Sequence, residues 1–367
     1  MSQFKLCATL IVDIMNISLV KNISAGSISF ILFSGCSQIE NEEFFTEVYD
    51  TKGEIYISSE KTIDPNLINI LDDNIILGNS KAVPLIEIYD IKSREKTSEF
   101  LSKGNGPNEV LMAGNIQFVK SKDELLVADL FKGKLLKYSL KDIRSNDNPK
   151  PTIVFKLGDN SSLLFDKLFQ GMGNIVAESR DPRGRILLLD EDGAEKGYYL
   201  TYPEKEKVDE NLSDINNAKL YAGSITISPS LDKIAMATYT AGMIDICKLE
   251  KDNIVPIWSY NEFYPQGIEI MPMGETTAVA HTKKSRRGFA SLSSSNKYIY
   301  ALFSGKLFED ATNPYGEVIY VASWDGKETY KINVDKSINR LAVDINDEYI
   351  YGITSEMDIV RFPIPKR

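Results

Sequence analysis

Six times along this 367-residue chain, a short run of apolar or aromatic residues follows a turn signal, and a second, alternating run follows a polar loop. The first runs are Asn74–Gly78, Glu124–Ala128, Asn174–Glu178, Lys233–Ala237, Lys297–Ala301 and Glu348–Gly352. They begin roughly 50, 50, 59, 64 and 51 residues apart. The second runs are Leu85–Ile91, Lys134–Leu140, Arg185–Leu189, Met243–Cys247, Val318–Ala322 and Asp358–Phe362. A repeat of about 50 residues holding several short strands cannot bury its own faces, so neighbouring copies must stack. Past the N-terminal segment, no stretch of about a dozen residues keeps a helical period, which disfavours parallel βαβ architecture. The expected fold is all-β, a six-bladed β-propeller of four-stranded antiparallel blades. The last copy stops at Arg367 without room for a fourth strand. The lone strand Glu54–Ser58, ahead of the first complete copy, can supply it, so that the two chain ends pair and leave no open sheet edge.

The N-terminus reads differently. Ile23–Ser34 is apolar or small, uncharged and preceded by Lys21. That matches the basic and apolar regions of a secretory signal and is too short for a membrane span, which needs ~20 apolar residues. It ends in Ser34, Gly35 and Cys36. Two small residues before a cysteine form a lipoprotein cleavage site, so Cys36 is the expected lipidation site. The expected organisation is a signal peptide over 1–35, with Met15 as a more usual start, an acidic tether over 36–50 and the propeller over 51–367.

Removing residues 1–35 takes away Lys5, Lys21 and Asp13, so the net charge moves from -10 to -11. An acidic balance of this size argues against nucleic-acid binding. Of the three cysteines, Cys7 precedes or lies in the signal and Cys36 would be acylated. Cys247 is then left without a partner, which excludes an intrachain disulfide framework, and its alternating surroundings read as a buried strand. A single histidine, His281, excludes His-rich metal sites and disfavours a His-based triad. Asp190–Gly193 lacks the spacing of an EF-hand loop and reads as a turn.

In a propeller, the loops between second and third strands share one face with the connections between blades. Here those loops gather base on an acidic protein: Lys81, Lys132 and Lys134, then Arg180, Arg183 and Arg185, then Lys306. The connection 266–287 ends in Lys283, Lys284, Arg286 and Arg287, and the aromatic Tyr260 and Tyr264 precede it. The candidate ligand-binding face is therefore Lys81, Lys134, Arg180, Arg183, Tyr260, Tyr264, Lys283, Arg286 and Lys306, a shallow positive surface suited to an anionic ligand. Gly104, Gly106, Pro107 and Glu109 form a Gly-x-Gly-Pro-x-Glu loop between the first and second copies. It lacks the Lys-Ser/Thr ending of a P-loop. Glycines permit positive φ there, Pro107 fixes the turn, and Glu109 can accept from loop amides.

With that loop, with Tyr298–Lys306 and with the repeat placed behind a lipoprotein cysteine, the chain resembles the TolB-like six-bladed propeller lipoproteins found mainly in Bacteroidetes. The resemblance covers about residues 50–365 and implies the fold; members mostly lack an established activity. The expected function is a lipid-anchored binding module in the cell envelope, on the periplasmic or surface face of the outer membrane. The expected partners are the membrane, through the N-terminal lipid, and an anionic glycan, a peptide or an envelope protein. A monomer without cofactor, metal site or catalytic residues is expected. The alternatives are a metal-dependent hydrolase or lactonase of propeller type, with carboxylate ligands in the central channel, and a structural scaffold within an envelope complex.

Overall fold

The computed structural model describes residues 44–367 except 82, 107, 130, 132, 147–148, 157–167, 275 and 311–313. Cys36, the signal segment, most of the tether and Pro107 lie outside the described residues. The rest forms the expected propeller. Blade I comprises Pro65–Leu71, Asn74–Asn79, Ile86–Asp90 and Lys96–Phe100, which serve as strands a to d from the centre outward. Blade II has Ala113–Val119, Glu124–Asp129, Lys134–Ser139 and Thr152–Lys156, and blade III has Leu168–Gly171, Asn174–Asp181, Gly184–Asp190 and Glu195–Tyr199. Blade IV has Gly223–Ile227, Lys233–Thr238, Met243–Leu249 and Ile254–Asn261. Blade V opens with Phe289–Ser294, Tyr298–Phe303 and Gly316–Ser323. One long strand, Thr329–Val343, then serves as strand d of blade V through Thr329–Asn333 and as strand a of blade VI through Ile338–Val343. Tyr349–Thr354 and Ile359–Pro363 continue blade VI.

The ring closes as the sequence implies. Glu54–Ile57 pairs antiparallel with Ile359–Pro363 and completes blade VI. Gly53 makes the entry possible, because a Cβ there would lie 2.4 Å from the Phe362 ring. A further strand, Val48–Thr51, adds in parallel to Lys331–Val334 on the rim of blade V. The end of the expected tether is therefore docked on the propeller. Phe45 is buried, with its ring 4.8 Å from both Tyr260 and Tyr320, and Phe44 meets Trp258 edge-on at 5.5 Å.

The b and c strands read as continuous apolar runs because both of their faces are buried. Ile76 faces the seam between blades I and II, whereas its neighbours Ile75 and Leu77 face the seam between VI and I. In blade II, Leu125 and Val127 face blade I, and Leu126 and Ala128 face blade III. The remaining seams hold similar clusters, III with IV, IV with V and V with VI, so hydrophobic burial runs right around the ring. A seventh cluster lies beyond blade IV, where the helix Asp214–Leu220 and the hairpin Ile268–Met273/Thr276–His281 pack over Leu220, Tyr221 and Met243.

Candidate functional site

The inner strands of the six blades surround the central channel. Polar side chains join them here. Gln117 Nε2 donates to the Gln170 carbonyl at 2.7 Å, and the Gln170 amide donates back to Gln117 Oε1 at 2.8 Å, linking blades II and III. The Thr226 and Ser294 hydroxyls lie 3.1 Å apart across IV and V. The Leu341 and Val343 amides donate to Ser291 and Ser293 at 3.2 Å each, across V and VI. Arg340 Nε donates to the Asn66 carbonyl at 3.0 Å, across VI and I. Each bond satisfies a group that burial would otherwise penalise.

These strands enclose a cavity of about 770 Å³, within the ~300–1,000 Å³ range of small-ligand sites. All six blades line it, and its mouth lies among the a–b turns, at the end opposite the inter-blade connections. Its walls differ. Asn69 and Asp73 of blade I, Asn296 of blade V and Asn346 of blade VI reach it from three adjacent blades. Among the described residues, these four side chains have no hydrogen-bond or ion-pair partner. Asp344 is already committed, accepting from the Asn346 amide at 2.8 Å, the Glu348 amide at 3.0 Å and the Tyr349 amide. Asp72 is also engaged within the protein. The facing wall, from blades II to IV, mixes Phe118 and Leu231 with Gln117, Thr226, Ser228 and Ser230, and the Phe169 ring is largely buried in the III–IV seam. No Lys, Arg or His among the described residues lines the cavity.

The expected basic face is elsewhere, and most of it is neutralised. Lys134 is buried and donates to the Glu109 carbonyl. Arg180 lies 3.8 Å from Glu178. Arg183 pairs with Asp181 at 2.9 Å and Glu195 at 2.8 Å while stacking over Tyr198. That contact holds the Asp181 carboxyl below its usual range. Arg185, counted with the loop bases in the sequence, is 1% exposed and belongs to the blade III–IV seam. Its Nη1 donates to Asp245 at 2.6 Å and its Nη2 to Thr238 at 3.0 Å.

One group does assemble in the connection between blades IV and V. Arg286 stacks over Phe263 at 4.4 Å, donates to the Gly305 carbonyl at 3.2 Å and lies 3.9 Å from Glu262. Glu262 also accepts from Tyr320 at 2.8 Å and Tyr260 at 3.3 Å. Lys306 faces Glu317 at 3.5 Å, and Tyr264 packs into the cluster over blade IV. Lys81 and Lys283 are exposed, on blade I and on the IV–V connection. His281 stacks on Phe308 at 5.1 Å; desolvation of its ring and then the Arg287 charge lower its pKa.

The Gly104–Glu109 loop folds around its own carboxylate. The Gly106 amide donates to Glu109 Oε2 at 2.7 Å. Neither glycine has a positive φ. Both let the carboxylate come close, since a Cβ on Gly104 would sit 2.1 Å from Glu109 Oε2 and one on Gly106 2.9 Å away, displacing it. The loop is a structural clasp between blades I and II. Asp190 likewise builds its turn, accepting from the Asp192 amide at 3.0 Å and the Ala194 amide at 2.7 Å.

The TolB-like 6-blade propeller-like family matches residues 41–346, ending in the first turn of blade VI. The chain belongs to that family. Two solved structures are similar to this TolB-like propeller. One is a Bacteroides fragilis protein assigned as exported, at 12% identity over 87% of this chain and 99% of that one, with a TM-score of 0.53. The other is a member of the DUF4221 family from Bacteroides vulgatus, at 13% identity over 84% of this chain and 94% of that one, with a TM-score of 0.55. At such identities the likeness concerns the fold. No curated protein matches the chain.

Sequence reasoning missed the cavity residues. The signal that could have found them is a polar residue in the turn between the first and second strands of a copy, as at Asp73, Asn296 and Asn346. Among the described residues, no group of three or more His, Cys, Asp or Glu is placed to hold an ion.

Proposed function

We propose that this TolB-like propeller is an exported, lipid-anchored binding module whose ligand enters the central cavity at the a–b turn end. The observation that carries this reading is the cavity mouth, where four polar side chains without an internal partner stand on a ring held rigid by bonds between inner strands. Partnerless polar groups on a fixed frame are what a pre-formed site presents to a ligand. The apolar segment before Cys36 and the small residues at the cleavage site support export and acylation. Seven residues lie between Cys36 and the docked Phe44, so the acyl group would hold the disc within about 30 Å of the membrane surface. The acidic net charge favours ligands other than nucleic acid.

Two measurements test the reading. Metabolic labelling with a fatty-acid analogue should mark the wild-type protein and not Cys36→Ser; equal labelling of both removes the anchor. A thermal-shift screen of residues 37–367 against glycans, peptides and small metabolites should yield stabilising ligands whose effect disappears when Asn296 is replaced by Trp. Stabilisation unaffected by that change would move the site away from the cavity.

A further inference from the structure

We infer that the cavity receives a neutral, polyhydroxylated ligand, the end of an uncharged oligosaccharide. The inference rests on the reading of the cavity as the ligand site and specifies its chemistry. Charge comes first. Among the described residues the lining holds no cationic side chain, so an anion entering it would lose its hydration without gaining a counter-charge. A cationic ligand fares little better. Asp344 is spent on its own turn and Asp72 is engaged, which leaves Asp73 as the one lining carboxylate without a partner among the described residues. A single carboxylate at an open mouth gives a cation modest support.

The remaining inventory suits a sugar. Asn69, Asn296 and Asn346 each offer a carbonyl acceptor and an NH₂ donor, and Asp73 accepts two O–H bonds. Amides and a carboxylate together satisfy hydroxyls, each of which donates once and accepts twice. The mixed lining fits as well. A pyranose ring has an edge of hydroxyls and a face of C–H groups. The partnerless polar groups come from blades V, VI and I, and apolar side chains, among them Ile70, Phe118, Leu231 and Ile345, are interspersed around the wall. A sugar entering there would meet hydrogen-bonding groups and apolar surface together. The volume of about 770 Å³ has room for a short oligosaccharide and excludes a folded chain.

The test is isothermal titration of residues 37–367 with four neutral trisaccharides (maltotriose, cellotriose, mannotriose and xylotriose), with trigalacturonate as the anionic control and putrescine as the cationic one. At least one neutral trisaccharide should bind. Asn69→Ala and Asp73→Ala should each weaken it about tenfold, while Lys283→Ser/Lys284→Ser on the opposite face leaves it unchanged. An unchanged melting temperature shows that each variant is folded. Neutral binding insensitive to Asn69→Ala and Asp73→Ala would overturn the site. Binding of trigalacturonate or putrescine alone, if sensitive to those variants, would overturn the ligand class and leave the binding-module reading standing. Silence of every probe would overturn the ligand class, and the thermal-shift screen would then decide the module reading separately.

Discussion

Arg185→Met should be among the most damaging single changes in the propeller. The guanidinium is 1% exposed and crosses from blade III to blade IV, where it donates to Asp245 at 2.6 Å and Thr238 at 3.0 Å. Methionine has similar length and no charge, so its packing loss is small. It leaves Asp245 buried with only the Ser259 hydroxyl, at 2.7 Å, as a side-chain partner. Breaking one side of a buried pair costs about 3–5 kcal/mol, most of it from the charge left behind. For a body of roughly 320 residues the unfolding entropy is about 0.7 kcal/mol/K, so the melting temperature should fall by about 4–7 °C. Removing the stranded charge should restore much of this. The double variant Arg185→Met/Asp245→Asn is expected to recover at least about half of the loss, because the cost lies in the uncompensated carboxylate. Calorimetry on wild type, both single variants and the double variant gives the coupling directly. A loss below about 1 kcal/mol for Arg185→Met, or additive losses in the double variant, would refute the assignment.

Three further outcomes are expected. Gly104→Ala drives a Cβ into Glu109 and should break its bond to the Gly106 amide, loosening the clasp by about 1.5–3 kcal/mol; hydrogen exchange of the segment 102–110 should quicken, and unchanged exchange would show that the glycine is dispensable. Cys247 is buried and, through burial first and Asp245 second, has its thiol pKa pushed up to about 12. Alkylation of native residues 37–367 near pH 8 should therefore be roughly 100-fold or more slower than in urea, and comparable rates would place the thiol at the surface. The Ser323 hydroxyl, ahead of the Lys327 amide, holds Asp325 down to about 2. A depressed carboxylate binds fewer protons folded than unfolded, so its contribution is present above its ordinary value of 3.8 and lost as pH falls toward about 2. The side chain is half exposed, so the effect is about a few tenths of a kcal/mol, and the advantage of wild type over Asp325→Asn should shrink through that window.

The ring was legible in the sequence because blades are stabilised by strands buried on both faces. Ile75, Ile76 and Leu77 form an unbroken apolar run, and consecutive residues serve different neighbouring blades. Closure by Glu54–Ile57 followed from counting strands. What stayed hidden depends on contacts between distant segments. Lys134, Arg286 and Lys306 read as a basic face, yet their acceptors stand on Glu109, Glu262 and Glu317, in other strands or loops. Arg185 looked like a loop residue because Asp245 lies on the next blade. Phe44 and Phe45 read as tether because the surface that receives them, Trp258, Tyr260 and Tyr320, is assembled from blades IV and V. The cavity is made of residues contributed by every blade, each unremarkable where it stands in the chain.

The end of the channel at which ligand enters can be read by blocking each end in turn. Buried Cys247 leaves an introduced exposed thiol as the reactive one in residues 37–367, so Asn296→Cys and Lys81→Cys can each be capped with a bulky maleimide. The cap at position 296 stands at the cavity mouth, and the cap at position 81 stands on the opposite face. Titration with the neutral trisaccharide that binds the unmodified protein should then show binding abolished by the cap at 296 and unaltered by the cap at 81. Binding that survives at 296 and is lost at 81 would contradict the account and return the site to the loop-rich face.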